Sequence, residues 1–553
     1  MKSLAGVLVL ACSLSLAASA QQLQSCSGND ALVGYNNVVD GQGRALSLTA
    51  PLLLTDGTVM LQYGGTSFNG AYNPLQDFFA LTADSTGCYG FGNGCSATLV
   101  PLPTLHNQTP IPYGPAAFAS AVLKSGNVIF EGGEGNLSGS PSCSGYNGTG
   151  RCEVNLGALY NISTHTWSAV NPPGGGATSW GYIGDAPSTV LADGRFLLGN
   201  ACGNVTALYT EGTGWATTGN QQSFGSEAGY TLLRSVGGAP ANVLSVDTCA
   251  TGSCGLHNNN SEAYDPNAGT WGSVGSTGSQ LPLWGQDYGN CFGGPWAAGE
   301  IGPAILQTDG TVFQPGAWVT KNQGPTHAAT YNPTMPIGSR WIPAPDLPSV
   351  NGSAVTAGDE PAVLLPNGNV LFEVADANYA HGYFLEWNKD SQQYCQATML
   401  SSLPAQTNLM LLPTGQVLIT GAYSGIAGVY WIYTPPAGVA SGIAPNILTV
   451  PADIYVNQTF TVQGSQFNGV SQGSAFGDDF QNATNYPLVQ ITNDSSHHVF
   501  YARTHDHSTM GVATGVSPTY THFDVLPGTE TGASHLVVIA NGVASNSFSV
   551  TVH

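Results

Sequence analysis

Short apolar runs, broken by a polar turn that ends in glycine, recur from residue 51 to residue 419 of this chain. The stretch Pro361 to Val374 shows the unit in full, with Asn367 and Gly368 between two strand-forming runs. An Asn-Gly pair in that setting predicts a tight β-hairpin whose favoured turn takes positive φ at both central residues. The unit returns around Gly57, Gly126, Gly194, Gly310 and Gly415, and in weaker form around Gly238. Both runs of each hairpin are almost continuously apolar, the pattern of strands covered on both faces, so they are expected to be inner strands. Seven such hairpins, spaced to leave room for four strands each, predict a seven-bladed β-propeller.

Between the hairpins the pattern turns polar and aromatic. Ala158 to Trp167, Ala207 to Trp215 and Glu262 to Trp271 each carry a Tyr, a turn and a closing Trp, and Ala328 to Pro333 with Trp341 repeats the rhythm. These segments are expected to be outer strands. Tyr, turn, Trp resembles the blade of the kelch family, and the repeats cover most of the chain. Ala31 to Val39 precedes the first hairpin, where a strand would close the ring against the last blade. The Gly- and Ser-rich insertions at 69–115 and 134–157 are expected as loops over one face.

Past Thr434 the alternation shortens. Phe460 to Gly464, Pro487 to Thr492, Val499 to Arg503, His535 to Ala540 and Ser547 to Val552 read as short strands, and about a hundred residues of them predict an immunoglobulin-like β-sandwich. The expected division is a signal peptide at 1–20, a propeller at 21–438 and this sandwich at 439–553, all-β throughout. Gly464 to Phe467 and Ala540 to Asn546 resemble the early turn and closing strand of the domain that follows the propeller in secreted galactose oxidase and glyoxal oxidase. That resemblance implies copper held by a Tyr cross-linked to a Cys, by a Tyr-His pair entering the last blade and by a His of the C-terminal domain. The blade ligands would lie nine or ten residues before their turn glycines. At those places this chain has Ala117, Asp185, Ala405 and Gln406, with Tyr182 three residues ahead of Asp185, and it has no Tyr-His dipeptide. Amide and carboxylate supply neither the redox partner nor the nitrogen donors copper prefers, so copper-radical chemistry is not expected here.

Composition narrows the partners. With a net charge of −22 and only ten Lys plus Arg among 553 residues, the surface repels nucleic acid and anionic lipid. Met1 and Lys2, the apolar run from Leu4 to Leu16 and the Ala18-Ser19-Ala20 site read as a secretory signal, too short to span a membrane. A lipoprotein site at Cys12 is the second reading. Cleavage after Ala20 leaves ten cysteines, an even number that suits disulfides in an extracellular or periplasmic setting. Cys88/Cys95, Cys143/Cys152 and Cys249/Cys254 are close enough to close small loops; Cys26, Cys202, Cys291 and Cys395 are not paired by spacing.

Candidate chemistry gathers at one end of the hairpins. Asp185, Glu227, Glu300, Asp359 and Glu360 all stand eight to eleven residues before a turn glycine, which would ring one mouth of the channel with carboxylates. Such a ring suits Ca²⁺ or another divalent metal, or a polyhydroxylated ligand. Strand-end capping by the same carboxylates stays open beside that reading, and acid–base hydrolysis is a weaker third. His505 and His507, around Asp506, form a second cluster that either reaches a metal in the propeller or locks the two domains together by hydrogen bonds. His497 and His498 are the other residues able to thread inward, and Arg503 suits a structural ion pair. Trp180, Trp284, Trp296 and Trp318 fall outside the blade rhythm, as sugar-stacking platforms or as packing under loops. With Trp180, Tyr182 and Trp296 as ligand contacts, the expected function is non-catalytic binding of an extracellular glycan, protein or cation. The alternative is a divergent carbohydrate or aldehyde oxidoreductase, or a metal-dependent enzyme, at the same mouth.

Overall fold

The computed structural model describes residues 23–553 apart from 27–29, 37, 65–74, 93, 106–111, 137–153, 175–179, 202, 223–228, 236–241, 247–248, 251–252, 258, 280, 285–300, 319–324, 377, 398–402, 422–425 and 477–481. Seven antiparallel sheets follow one another along the chain. Their innermost strands meet in ring order: Ala119–Val122, Ser188–Val190, Tyr230–Leu232, Ile305–Leu306, Pro361–Leu364, Asn408–Leu411 and Ser47–Leu53. The protein is therefore a seven-bladed propeller, with one short 3₁₀ turn at Ile337–Ser339 and otherwise no helix among the described residues. In the last blade the outermost strand comes from the N-terminus. Ala31–Asn36 pairs with Val429–Thr434, so the ring is closed by non-local pairing, as the position of that apolar run suggests.

Six of the inner hairpins turn in the same way; the turn at Gly238 lies outside the described residues. In the sixth blade the Leu365 N–H donates to Asn369 O and the Gly368 N–H to Leu365 O, and only the glycine has positive φ, at 90°. This corrects the expectation of two left-handed residues: the loop is a type I turn followed by one left-handed glycine, which frees the Asn367 position from that constraint. Gly57, Gly126, Gly194, Gly310 and Gly415 repeat it with φ between 79° and 94°.

The outer strands pair Tyr with Trp across the sheet. Tyr160 faces Trp167, Tyr209 faces Trp215, Tyr264 faces Trp271 and Tyr331 faces Trp341, with ring centroids 4.9–5.4 Å apart. In the sixth blade the order reverses to Trp387 and Tyr394. The indole N–H of each of these Trp residues donates toward the preceding blade, to Pro103 O, Asn171 O, Thr206 Oγ1, Ser261 Oγ and Gln307 Oε1 in turn. The repeat thus fixes both the pairing within a blade and the docking of one blade on the next.

The C-terminal segment is all-β. Its strands hydrogen-bond as one continuous curled path, in which Val499–His505 pairs with Leu488–Asn493 along one part and with Pro518–Asp524 along the other. It caps the turn end of the propeller. Thr504, His507 and Met510 donate backbone N–H to Thr55 O, Lys124 O and Ala192 O, each two residues before a turn glycine. At Gly57 a Cβ would stand 2.4 Å from the Tyr501 ring, so the contact requires glycine there for space as well as for φ.

From this cap a hairpin-like segment enters the channel. Ser474–Phe476 adds a fifth strand to the innermost strand of the sixth blade, pairing Ser474 with Val363 and Phe476 with Pro361. Gln472 accepts from the Leu232 N–H at 2.9 Å and donates to Thr189 Oγ1 at 2.7 Å, and the returning Asn482 donates to Leu409 O. One threaded segment therefore touches the third, fourth, sixth and seventh blades. The segment that enters is this one, and not the His505/His507 loop or His497/His498.

Two disulfides are present among the described residues. Cys88–Cys95 closes the small loop expected for it, and Cys26–Cys395 pins the N-terminal segment to the sixth blade across 369 residues of sequence. Cys143, Cys152, Cys202 and Cys291 lie outside the described residues.

Candidate site at the channel mouth

The far mouth of the channel is formed where the inner strands begin. Ala117, Asp359 and Gln406, each nine residues before its turn glycine, all have positive φ, at 47°, 60° and 62°. A left-handed residue at this place reverses the pleat as the strand enters, and non-glycine residues held there carry backbone strain of order 1–3 kcal/mol each.

Asp359 and Glu360 start the sixth blade, and Gln406 and Thr407 start the seventh. The Gln406 side-chain amide donates to Asp359 Oδ2, and its backbone N–H donates to Glu360 Oε2 at 2.9 Å. Thr407 donates its N–H and its hydroxyl to Glu373 Oε2, at 2.9 and 2.7 Å. Glu360 and Glu373 are fully buried, and their carboxyls hydrogen-bond to each other. Burial raises the Glu360 carboxyl well above the usual range and the neighbouring Glu373 adds to that; burial lifts Glu373 to about 7, against the opposing pull of Thr407. Two acceptors in contact need one proton between them, so this pair is protonated where ordinary glutamates are charged.

Next to Asp359 in the chain, Gly358 O accepts from the Tyr379 hydroxyl at 3.4 Å, and Tyr379 meets Trp318 edge-on at 6.4 Å. Trp318 is buried, and its indole Nε1 has no hydrogen-bond partner among the described residues. Of the other Trp residues outside the blade rhythm, Trp180 is half-buried and its carbonyl accepts from Asn155. Trp284 donates its indole N–H to Asn259 Oδ1 at 3.0 Å. Tyr182 and Asp185 are half-buried where the third blade begins, and Asn200 donates to the Tyr182 carbonyl. Glu227, Glu300 and Trp296 lie outside the described residues.

His505 and His507 stand at the other end. Seven residues of strand, about 20 Å, separate the cap contacts from the mouth positions. His505 bridges Asp506 at 2.7 Å and Asp524 at 3.3 Å, and Arg503 pairs with Asp524 at 2.6 Å. His507 is fully buried, with Nδ1 2.8 Å from Thr521 Oγ1. The Thr521 hydroxyl also lies 3.2 Å from His505 O and 3.0 Å from His522 O, and His507 Nε2 has no hydrogen-bond partner among the described residues. Burial holds this imidazole neutral, with its pKa down at about 3.

Metal-ligand geometry is restricted. Among the described residues, the groups in which three His, Cys, Asp or Glu ligand atoms converge are Cys26/Glu386/Cys395 and Asp84/Cys88/Cys95. Their sulfurs are tied up in disulfides and offer no thiolate. Asp185, Asp359, Glu360, His505 and His507 do not come together in such a group.

Sequence reasoning missed the partner of Glu360. Glu373 lies five residues after its turn glycine, and the same count reaches Gln62 and Glu131, all three fully buried. Gln62 uses the position to reach the next blade, donating to Leu75 O and Pro115 O. Counting forward from the glycine as well as backward would have found this layer. Glu131 makes no such bond: both its oxygens are buried without a partner, and burial raises its carboxyl well above the usual range.

No protein-family model matches the chain, and no curated protein sequence matches it. Among solved structures it is similar to a streptogramin B lyase, at 12% identity over 73% of this chain and 97% of that one, with a TM-score of 0.40. A selenomethionine form of virginiamycin B lyase from Staphylococcus aureus is similar at 9% identity over 73% and 99%, TM-score 0.40. YCF48 from Cyanidioschyzon merolae is similar at 10% identity over 73% and 99%, TM-score 0.39. Likeness at this level carries no argument about activity or ligand.

Proposed function

We propose that this protein is a secreted, kelch-type propeller with an immunoglobulin-like C-terminal domain, similar in build to the galactose oxidase family, that binds an extracellular glycan at the channel mouth without catalysis. The observation that carries the reading is the buried Trp318 indole N–H, without a partner among the described residues and edge-on to Tyr379. A buried donor left unpaired costs about 1–3 kcal/mol, which a ligand hydroxyl at that point would recover. Amide, carboxylate and aromatic ring together are what sugar hydroxyls and the apolar face of a sugar ring require.

Glycan-array binding of the secreted protein, repeated after chelation with EDTA, tests this. The expected result is glycan binding that survives chelation and weakens at least tenfold in Trp318→Phe. Absence of glycan binding, or peroxide release from galactose or glyoxal, sinks the reading in favour of the oxidoreductase.

A further inference from the structure

A second cavity lies far from the mouth, on the turn side of the sixth blade, where the N-terminal segment crosses it. It encloses 270 Å³. The N-terminal segment is held against the blade by the Cys26–Cys395 disulfide and by backbone bonds from Cys26 N–H to Gln396 O and from Gln396 N–H to Gln24 O, both 2.9 Å. Without that strap the cavity would have no outer wall.

Its lining is dominated by side-chain amides. Gln24, Asn367, Asn369, Asn388 and Gln393 contribute, together with the buried Glu386 carboxyl. These groups are already ordered by one another. Asn388 Nδ2 donates to Asn369 Oδ1 at 2.8 Å, Asn369 Nδ2 donates to Glu386 Oε2 at 2.8 Å, and the Tyr433 hydroxyl donates to Glu386 Oε1 at 2.8 Å. An amide nitrogen has two protons, and within this relay each of these two asparagines uses one of them. A second N–H on each is left for another acceptor. Their geometry is fixed before anything arrives, so a guest avoids the entropic cost of ordering them.

The chemistry selects the guest. No Lys, Arg or His lines the cavity, which disfavours anions, and the preponderance of amides over carbon disfavours apolar molecules. Amides donate and accept in equal measure, as vicinal hydroxyls do. The volume falls just under the roughly 300 Å³ at which drug-sized sites begin, the scale of one sugar unit. We propose that the amide-lined cavity between the N-terminal strap and the sixth blade is a second binding site, for one unit of a neutral sugar. It is independent of the mouth, with which it shares no residue.

Saturation-transfer NMR of the intact protein with galactose, glucose, mannose and N-acetylglucosamine decides the matter. The wild type is expected to bind at least one of them, and Gln393→Trp, which places a large ring at the exposed rim, is expected to weaken that binding tenfold or more. Ser391→Trp, at a different point of the rim, repeats the block if Gln393→Trp does not fold. Trp318→Phe at the mouth is expected to leave it unchanged. Binding of none of the four sugars, or binding lost in Trp318→Phe and kept in both rim variants, overturns the proposal; the second outcome leaves the mouth reading standing.

Discussion

The two ends of the channel are built from the same repeated strands and surround their buried polar groups differently. At the turn end the C-terminal cap docks: backbone N–H groups of the cap meet carbonyls of three blades, Arg503 pairs with Asp524, and His507 is enclosed behind these contacts with Nε2 lacking a partner among the described residues. At the mouth two buried carboxyls, Glu360 and Glu373, hydrogen-bond to each other, and the indole N–H of Trp318, edge-on to Tyr379, has no partner among the described residues. An unpaired buried polar atom costs about 1–3 kcal/mol at either end, so the aromatic pair beside it, and not the unpaired atom alone, is what sets the mouth apart.

The largest test of that contrast is on the threaded segment that joins the two ends. Gln472→Ala removes the partners of the buried Leu232 N–H and Thr189 hydroxyl and is expected to cost roughly 2–4 kcal/mol in urea unfolding. A loss below about 0.5 kcal/mol, the range of ordinary surface substitutions, would mean the segment is a passive filler.

The pH dependence separates the ends by sign. Glu360 and Glu373 have folded pKa values raised from 4.5, so the native state holds protons the unfolded state has lost; their stabilisation is complete below pH 4.5 and fades as pH rises toward about 7. His507, lowered from 6.5 to about 3, behaves oppositely, with a contribution complete above pH 6.5 and lost on acidification. Urea midpoints should therefore show Glu360→Gln gaining on the wild type as pH rises above 4.5, and His507→Asn gaining as pH falls below 6.5, the latter on the order of 2 kcal/mol. Parallel curves for either variant and the wild type would remove the corresponding charge argument.

A smaller effect is expected at Glu131, which occupies the inter-blade position that Gln62 uses productively. Glu131→Gln should stabilise the fold by about 1 kcal/mol at neutral pH and by nothing at pH 4, where the glutamate is already protonated. Equal gains at both pH values would point to hydrogen bonding alone. The smallest change in stability belongs to Trp318→Phe, expected within about 0.5 kcal/mol of wild type because it deletes an N–H that is already unpaired. Its effect should fall on glycan binding instead.

The apolar hairpins, their glycines and the Tyr–Trp pairs made the ring legible in the sequence, because each is a local signal with a fixed period. Blade closure by Ala31–Asn36 was legible for the same reason: an apolar run with no partner beside it must find one elsewhere. Counting back from Gly368 singled out Asp359 and Glu360, nine and eight residues before it, as residues at the start of the sixth blade. Glu373 was not counted, because its meaning depends on a hydrogen-bond partner contributed by the next blade.

What the chain determined by itself is the blade and its repetition, since alternation, turn chemistry and aromatic spacing act within twenty or thirty residues. What only the tertiary structure decided is which segment fills the channel and which polar groups are left unmatched. Both depend on residues hundreds of positions apart, such as Gln472 with Thr189 and Cys26 with Cys395, and no local pattern carries that information. Burial then changes the chemistry of what it encloses: the same glutamate that would be a charged surface residue holds a proton once its neighbour across the blade seam is another carboxyl.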